Sequence, residues 1–429
     1  MRFEVRRRWS RLAFCLVCLI PTVIITGAVA VTHNPFYMAA RQAAWESQWS
    51  DRLGLTVKVQ SLEQRGGDWV IHGLELRDPE TDHWVLRAAS IEIAKTETAH
   101  VVLVNQSELC ATLWPRVWAI LHEHVLQRPY LTDRNVMISA ATLTMRYERQ
   151  AESLSGVRCE LVGKVDSTEA LFEFRMPGNV GGEPARFSVI RNRQLQPPTT
   201  AWELHTGDAA LPCSLAIPWI PSAARLGPNC TFAGMIWAEK GIGDWTADLS
   251  GIFRPVQLEQ LVTSQFPHKL SGEGDLTLTR VCLHHGRIVE LAGNLQARDG
   301  VVSRSLLTAA RDELKLRLRD PLRDTSLLRY DQLAVGFTLS STGMALAGQM
   351  QPETTVMSDA DGPLLSDSGQ ADQLSTVALL RFLVPQNEVH VPATEETVSL
   401  VRVLPLPQAG TATTADQSSR SYTPVRLLD

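Results

Sequence analysis

The sequence has no cysteine cluster, no surplus of basic residues and no second long apolar run, and each absence narrows what the chain can be. Its 429 residues hold seven cysteines. Cys15 and Cys18 fall inside the first apolar run and read as packing residues of that run. Cys110, Cys159, Cys213, Cys230 and Cys282 are widely and irregularly spaced, and none of these five makes a Cys-x-x-Cys pair. Five thiols cannot all pair within one chain, so they are read as buried or loosely placed thiols, with one or two disulfides as the alternative. The formal net charge is −5, from 41 Lys and Arg against 46 Asp and Glu. No basic stripe offers itself to phosphate, so nucleic acid is not an expected partner.

Catalytic and metal motifs are missing as well. No His-Glu-x-x-His, no Gly-x-Ser-x-Gly and no strand–Gly-x-Gly-x-x-Gly–helix unit occurs. His122 and His124 stand two apart on an expected helix and do not share a face. His284 and His285 sit at an expected turn, and both pairs are read as solvated surface. Asp78-Pro79 and Asp320-Pro321 read as turn initiators. No catalytic residue, metal ligand or cofactor is expected.

What is present begins with Arg2, Arg6, Arg7, Arg8 and Arg11, followed by residues 12–31, which run without a charge. Twenty such residues match the bilayer's hydrocarbon core, about 30 Å at about 1.5 Å per residue. Leu12, Phe14, Leu16, Val17, Leu19, Ile20, Val23, Ile24 and Ile25 are its apolar body. The arginines predict a cytoplasmic N-terminus, with the rest of the chain in the periplasm or another extracytoplasmic space as a single-pass membrane protein. Ala28-Val29-Ala30 opens the alternative of a cleaved signal peptide. The length of the run favours a retained anchor, as does the amphipathic helix expected beyond it, where Phe36, Ala40, Ala44, Trp45 and Trp49 recur at helical spacing.

From residue 53 the dominant period is two. Leu55, Val57 and Val59 alternate with polar residues, and Leu74/Leu76 and Ile91/Ile93 follow. The expected fold class is mainly β: an N-terminal transmembrane helix, then an elongated, curved, groove-like antiparallel sheet with a few short helices. Its segments are 1–11 cytoplasmic, 12–31 transmembrane, 32–52 juxtamembrane helix and 53–104 N-terminal β. Then come 105–230 middle β with a helix near 113–128, 231–350 C-terminal β, 351–407 mobile with a short helix and strand, and 408–429 a tail of disordered composition. Residues 194–200 and 211–228, rich in proline, are expected to be loops. Residues 284–287 are expected to turn a hairpin, and residues 305–318 to form a short helix or extended stretch. Trp69, Trp84, Trp237 and Trp245 fall within strand patterns and read as core packing.

Two blocks carry a resemblance. Residues 53–63 (LGLTVKVQSLE) and 73–93 (GLELRDPETDHWVLRAASIEI) resemble the start of the AsmA-like and TamB-like membrane-anchored envelope proteins. Residues 232–253, 270–303 and 306–318 look like that family's later repeats. The resemblance covers about a third of the chain and leaves residues 105–230 unmatched. It implies a long β groove that shelters lipid acyl chains, with membrane lipids and other envelope proteins as partners. The candidate groove residues are Leu276, Leu278, Val281, Leu283, Ile288, Leu291 and Leu295. Strict alternation splits them between the two faces of a sheet, so alternate members are expected to share one apolar surface. The expected function is therefore non-enzymatic: holding or conducting acyl chains, or supporting envelope assembly. An anchored structural or interaction domain without a ligand is the alternative, followed by an anchored enzyme acting on glycan or lipid.

Overall fold

A computed structural model describes residues 14–23, 25–26, 35–128, 134–147, 151–179, 181–241, 245–263, 266–320, 325–351, 354–367, 374–383 and 403–404. Of the expected anchor, Leu12 and Ile24 lie outside the described residues, as does the tail 408–429. Phe14, Leu16, Val17, Leu19, Ile20, Val23 and Ile25 are helical and exposed. Among the described residues no helix is long and apolar enough to cross a membrane.

Helix α1 (Pro35–Leu53) lies where the amphipathic pattern ends against the first strands. These are β1 (Thr56–Lys58), β2 (Ser61–Arg65), β3 (Asp68–Arg77), β4 (Trp84–Lys95) and β5 (Ala99–Cys110). β1 and β2 share one edge of β3, and β3–β4–β5 continue antiparallel. Trp45 and Trp49 of α1 pack on the cluster of Val57, Val59, Leu62, Ile71 and Leu74. The polar face of α1 occupies the sheet edge. The Gln42 side chain donates to the Val59 carbonyl (2.6 Å), the Val59 N–H donates to Glu46 (2.9 Å), and the Val57 N–H donates to Ser50 Oγ (2.9 Å). Gly73, read as punctuation, sits inside β3 with φ +60°, and the Gln60 side chain occupies the space a Cβ would need.

Helix α2 (Trp114–Leu121), extended by a wider turn over His122–Leu126, crosses from β5 to β6 (Asn135–Arg146). That crossover lets β5 and β6 run parallel, while the other strand ladders among the described residues are antiparallel. β7 (Ala151–Gly163), β8 (Ser167–Arg175), β9 (Ala185–Asn192) and β10 (Thr199–His205) follow in order. β10 and β11 (Leu211–Pro212) share the same edge of β12 (Thr231–Lys240). The ladder runs on through β13 (Trp245–Gln257), β14 (Glu273–His284) and β15 (Arg287–Ser303). Helix α3 (Arg304–Leu314) then intervenes, capped by the Ser303 hydroxyl, which accepts the Leu306 N–H.

Beyond α3 come β16 (Arg317–Leu318), β17 (Leu327–Ser340), β18 (Gly343–Gly348), β19 (Thr355–Asp359), β20 (Gly362–Ser366) and helix α4 (Thr376–Leu383). β17 joins β15, β18 and β19 share β17's other edge, and β20 and β16 end the sheet. The result is one curved, unclosed sheet of 20 strands among the described residues. At about 4.8 Å per strand its ladder is on the order of 80 Å long.

Two loop expectations change. The proline-rich stretch 194–200 ends as strand: Thr199 and Thr200 open β10, which pairs on both sides through His205, because Thr200, Trp202 and Leu204 alternate once past Pro198. Within the segment expected to be mobile, β19 and β20 form a hairpin that buries Val356, Met357, Leu364 and Leu365. Short apolar pairs outweigh the Asp/Ser/Gly composition there.

Asp78 is more than a turn initiator. It is wholly buried and accepts bonds from Thr81 (2.5 Å) and from the Arg116 Nε of α2 (2.9 Å). Burial pushes its carboxyl up, but the hydrogen bonds from Thr81 and Arg116 outweigh this and hold it below the ordinary carboxylate value. Replacing Arg116 by Met is expected to cost about 1–3 kcal/mol, because it strands a buried carboxylate. A depressed carboxyl stabilises the fold above its unfolded value of 3.8, and that contribution is lost as pH falls through its folded value. Acid melting of the parent and of Arg116→Met, followed by circular dichroism, checks both. Equal acid midpoints would exclude this pair as a clasp for α2.

Candidate functional site

The middle of the sheet is built differently from its ends. β6 carries no buried residue and β7 buries only Leu154, although both hold many apolar side chains. Their inward face meets a second layer only in part, where Leu143 and Met145 pack on the core around Val117 of α2 and Leu161 packs on Leu126. It lines a cavity of about 1750 Å³. The floor is Leu143 and Met145 of β6, Leu154 and Val157 of β7, Phe172 and Phe174 of β8, and Phe187 of β9. It continues through Trp202 and Leu204 of β10, Phe232 and Ile236 of β12, and Leu249 and Phe253 of β13. The roof is α2, through Trp114 and Trp118, the turns of residues 213–226, and Leu261, Val262 and Phe266. Trp219 and Ile220 in the roof and Trp245 at the strand end are 44%, 55% and 43% exposed, so the cavity opens to solvent there.

Aromatic contacts tie roof to floor. Trp219 meets Trp118 edge-on at 6.0 Å, Trp118 meets Trp202 at 6.1 Å, and Trp202 stacks on Trp245 at 5.0 Å. The turns 213–226 are pinned at their base. The Cys213 N–H donates to the Cys230 carbonyl (2.8 Å), and the two buried sulfurs lie 3.3 Å apart as thiols. Donation to Cys230, together with burial, pushes the Cys213 thiol well above its ordinary range.

The cavity's charged groups are few: His122, Glu123, Arg191, Arg225 and Lys240. His122 is half-buried and bonds through Nε2 to Thr200 Oγ1 (3.0 Å), which also accepts from Arg191 Nη1 (2.9 Å). Burial first, then the nearby charges of Arg191 and Lys240, hold the His122 imidazole below its ordinary value. Its reading as solvated surface is therefore corrected. Trp118 and His122 are one helical turn apart and both face inward, a spacing that the comparison of His122 with His124 overlooked.

None of the seven candidate groove residues lines this cavity, yet all lie on the face that does. Leu276 stands opposite Leu295, Val281 opposite Leu291, and Leu283 opposite Ile288. Register shifts after Leu278 and after Cys282 each insert an extra residue, which cancels the change of parity between Leu278 and Val281 and between Ile288 and Leu291. All seven thereby share one face. That face is continuous with the floor, since Phe253 stands opposite Leu276 and Leu249 opposite Val281. Leu276, Leu291 and Leu295 pack, partly buried, on the C-terminal core around Val256, Leu258, Leu307 and Tyr330. Of the strand tryptophans, Trp245 is a rim residue, while Trp69 and Trp84 lie under the guanidinium groups of Arg41 and Arg87. His284 and His285 are exposed at the β14–β15 turn.

Comparison with the models of known families, with curated proteins and with solved structures finds no match to this chain. The cavity must be understood from its own chemistry. It is a half-roofed apolar trough with aromatic walls and cations along one margin, larger than the about 300–1,000 Å³ of common small-molecule pockets.

A nuclear magnetic resonance titration of His122 should give a midpoint below 6.5, moving up toward that value in Arg191→Gln and in Lys240→Gln. A depressed histidine binds its proton more weakly folded than unfolded, so stability should fall as the pH drops below 6.5. An unchanged midpoint in both variants would remove Arg191 and Lys240 as its neighbours in solution.

Proposed function

We propose that this chain is a membrane-anchored envelope protein that shelters lipid acyl chains in the β trough, holding or conducting them without chemistry of its own. In this reading residues 12–31 are a retained anchor, the N-terminus is cytoplasmic, and the sheet lies beyond the membrane. The observation that carries it is the cavity of about 1750 Å³, walled by leucine, phenylalanine and tryptophan in a sheet that does not close. Apolar surface left open to water is costly unless something apolar covers it, and flexible acyl chains conform to an irregular trough. The likeness of residues 53–93 and 232–318 to AsmA-like and TamB-like proteins supports the same reading, as do the arginines ahead of the first apolar run.

The alternative, an interaction domain with a closed core, makes a different prediction for the floor. Phe172 and Phe187 meet at 6.1 Å and are each only partly buried. In a close-packed core, replacing either by Ala costs about 3–5 kcal/mol. In a trough filled by exchangeable lipid, the same change should cost less than about half of that and should lower the lipid retained through purification. Mass spectrometry of lipids carried by the purified full chain, with thermal melts of Phe172→Ala and Phe187→Ala, tests this. A parent that carries no lipid, with both variants losing the full core penalty, would falsify the trough.

A further inference from the structure

A row of polar residues at the strand ends runs over four strands beside the trough and meets Trp245 on a fifth. Register sets Thr168 of β8 opposite Arg191 of β9, Arg191 opposite Thr200 of β10, Thr200 opposite Lys240 of β12, and Lys240 opposite Trp245 of β13. Opposed residues share a face, so this row borders the apolar rows of Trp202 and Leu204 and lies at the strand ends where Trp245 is exposed.

Two features of the row bear on a ligand. Arg191 donates through Nη1 to Thr200 Oγ1 (2.9 Å) and to the Pro198 carbonyl (3.2 Å), but its Nε is enclosed with no partner. The protein encloses that Nε, so a ligand meets Arg191 at its Nη edge on the cavity wall, and an incompletely bonded guanidinium there suits an oxyanion. Lys240 stands with its ammonium 5.5 Å from the Trp245 ring centre. Among the described residues neither Arg191 nor Lys240 makes an ion pair with a carboxylate. In the lining as a whole Arg191, Arg225 and Lys240 face a single acidic residue, Glu123. Of the three, Lys240 and Arg225 are exposed and Arg191 is partly buried, so the desolvated charge that an anion relieves is that of Arg191.

We propose that this row is a head-group site, and that the trough's ligand is a phospholipid of net negative charge. Its phosphate lies against Arg191 and Lys240, and its acyl chains lie over Phe172, Phe187 and Trp202. The proposal rests on the reading of the trough as an acyl-chain site and adds the charge of the head. A guanidinium fork beside a lysine point charge suits a phosphate. A zwitterionic head would bring a further cation to a margin already rich in them, so a net-negative head is favoured.

The test uses the full chain, stripped of lipid in detergent and incubated with vesicles. One set is phosphatidylcholine, and the other an equal mixture of phosphatidylcholine and phosphatidylglycerol with the same acyl chains. Protein is re-isolated and its lipid quantified by mass spectrometry. From the mixture the parent should retain phosphatidylglycerol over phosphatidylcholine by about tenfold, the worth of one charge-assisted hydrogen bond. Arg191→Gln and Lys240→Gln should each bring the ratio toward one, and added salt should lower it in the parent. If Arg191→Gln fails to fold, Lys240→Gln decides, because that ammonium's recorded contact is the exposed Trp245 ring. A parent that keeps both lipids equally overturns the head-group site and leaves the acyl-chain reading standing. A parent that keeps neither overturns both. Displacement of the phosphatidylglycerol by millimolar inorganic phosphate would instead mark a free-anion site and also overturn the proposal.

Discussion

Everything in this structure depends on a backbone ladder that runs from β3 to β17 without a break. Each strand's N–H and C=O groups are satisfied by its neighbours, so the chain can add strands without folding back to find partners. The price is geometric: the main period-two apolar rows land on the same face, strand after strand, and among the described residues no second sheet covers them. Cover comes from what the connections supply. α1 serves β1–β3, α2 serves β6–β10, the turns at 213–226 serve β12 and β13, and α3 with α4 serves the C-terminal strands. Where the supply is generous a core closes. Where one eight-residue helix must roof five strands, it does not, and the gap is the trough.

The same constraint sorts polar from apolar chemistry. A side chain reaches the margin of the trough only from a strand end, and the end of the β8–β13 block is where Thr168, Arg191, Thr200 and Lys240 align. Arg193, two residues on, shows the contrast. Its guanidinium donates to the Leu126, Lys164, Val165 and Ser167 carbonyls and to Thr168 Oγ1, a set that leaves it no role beyond locking a strand end. Arg191, with its Nε unmet, is the arginine of the pair whose bonding is incomplete inside the protein.

Much of the architecture was legible in residue spacing. Alternation at Leu55–Val59 and Leu74–Leu76, the His285-Gly286 turn and the Trp45/Trp49 stripe each became the element their pattern predicts, because each is a local preference that packing reinforced. The trough was not legible, for two physical reasons. Its floor comes from strands whose mutual register no local pattern encodes, so Arg191, Thr200 and Lys240 look unrelated until three strands are aligned. Its continuation through Leu276–Leu295 depends on two bulges, and one inserted residue reverses every face assignment downstream. Proline content also concealed β10, where Trp202 carries both the aromatic stack and the floor.

An open sheet of this length must also avoid joining to other sheets, and its two ends do so differently. At the C-terminal end the final strand, β16, is only two residues long, which leaves little to pair with. At the N-terminal end β1 is blocked by side chains, since Gln42, Glu46 and Ser50 of α1 take the backbone groups of Val57 and Val59 that a neighbouring strand would need. These side-chain bonds make strand addition at β1 a competition with α1, which Trp45 and Trp49 hold in place. Strand addition is thus disfavoured along β1 and at β16. The trough itself opens to solvent across its rim, at the exposed Trp219, Ile220 and Trp245. The row of Arg191, Thr200 and Lys240 ends on Trp245, so the same register that lays apolar side chains along the floor sets charge beside its open rim.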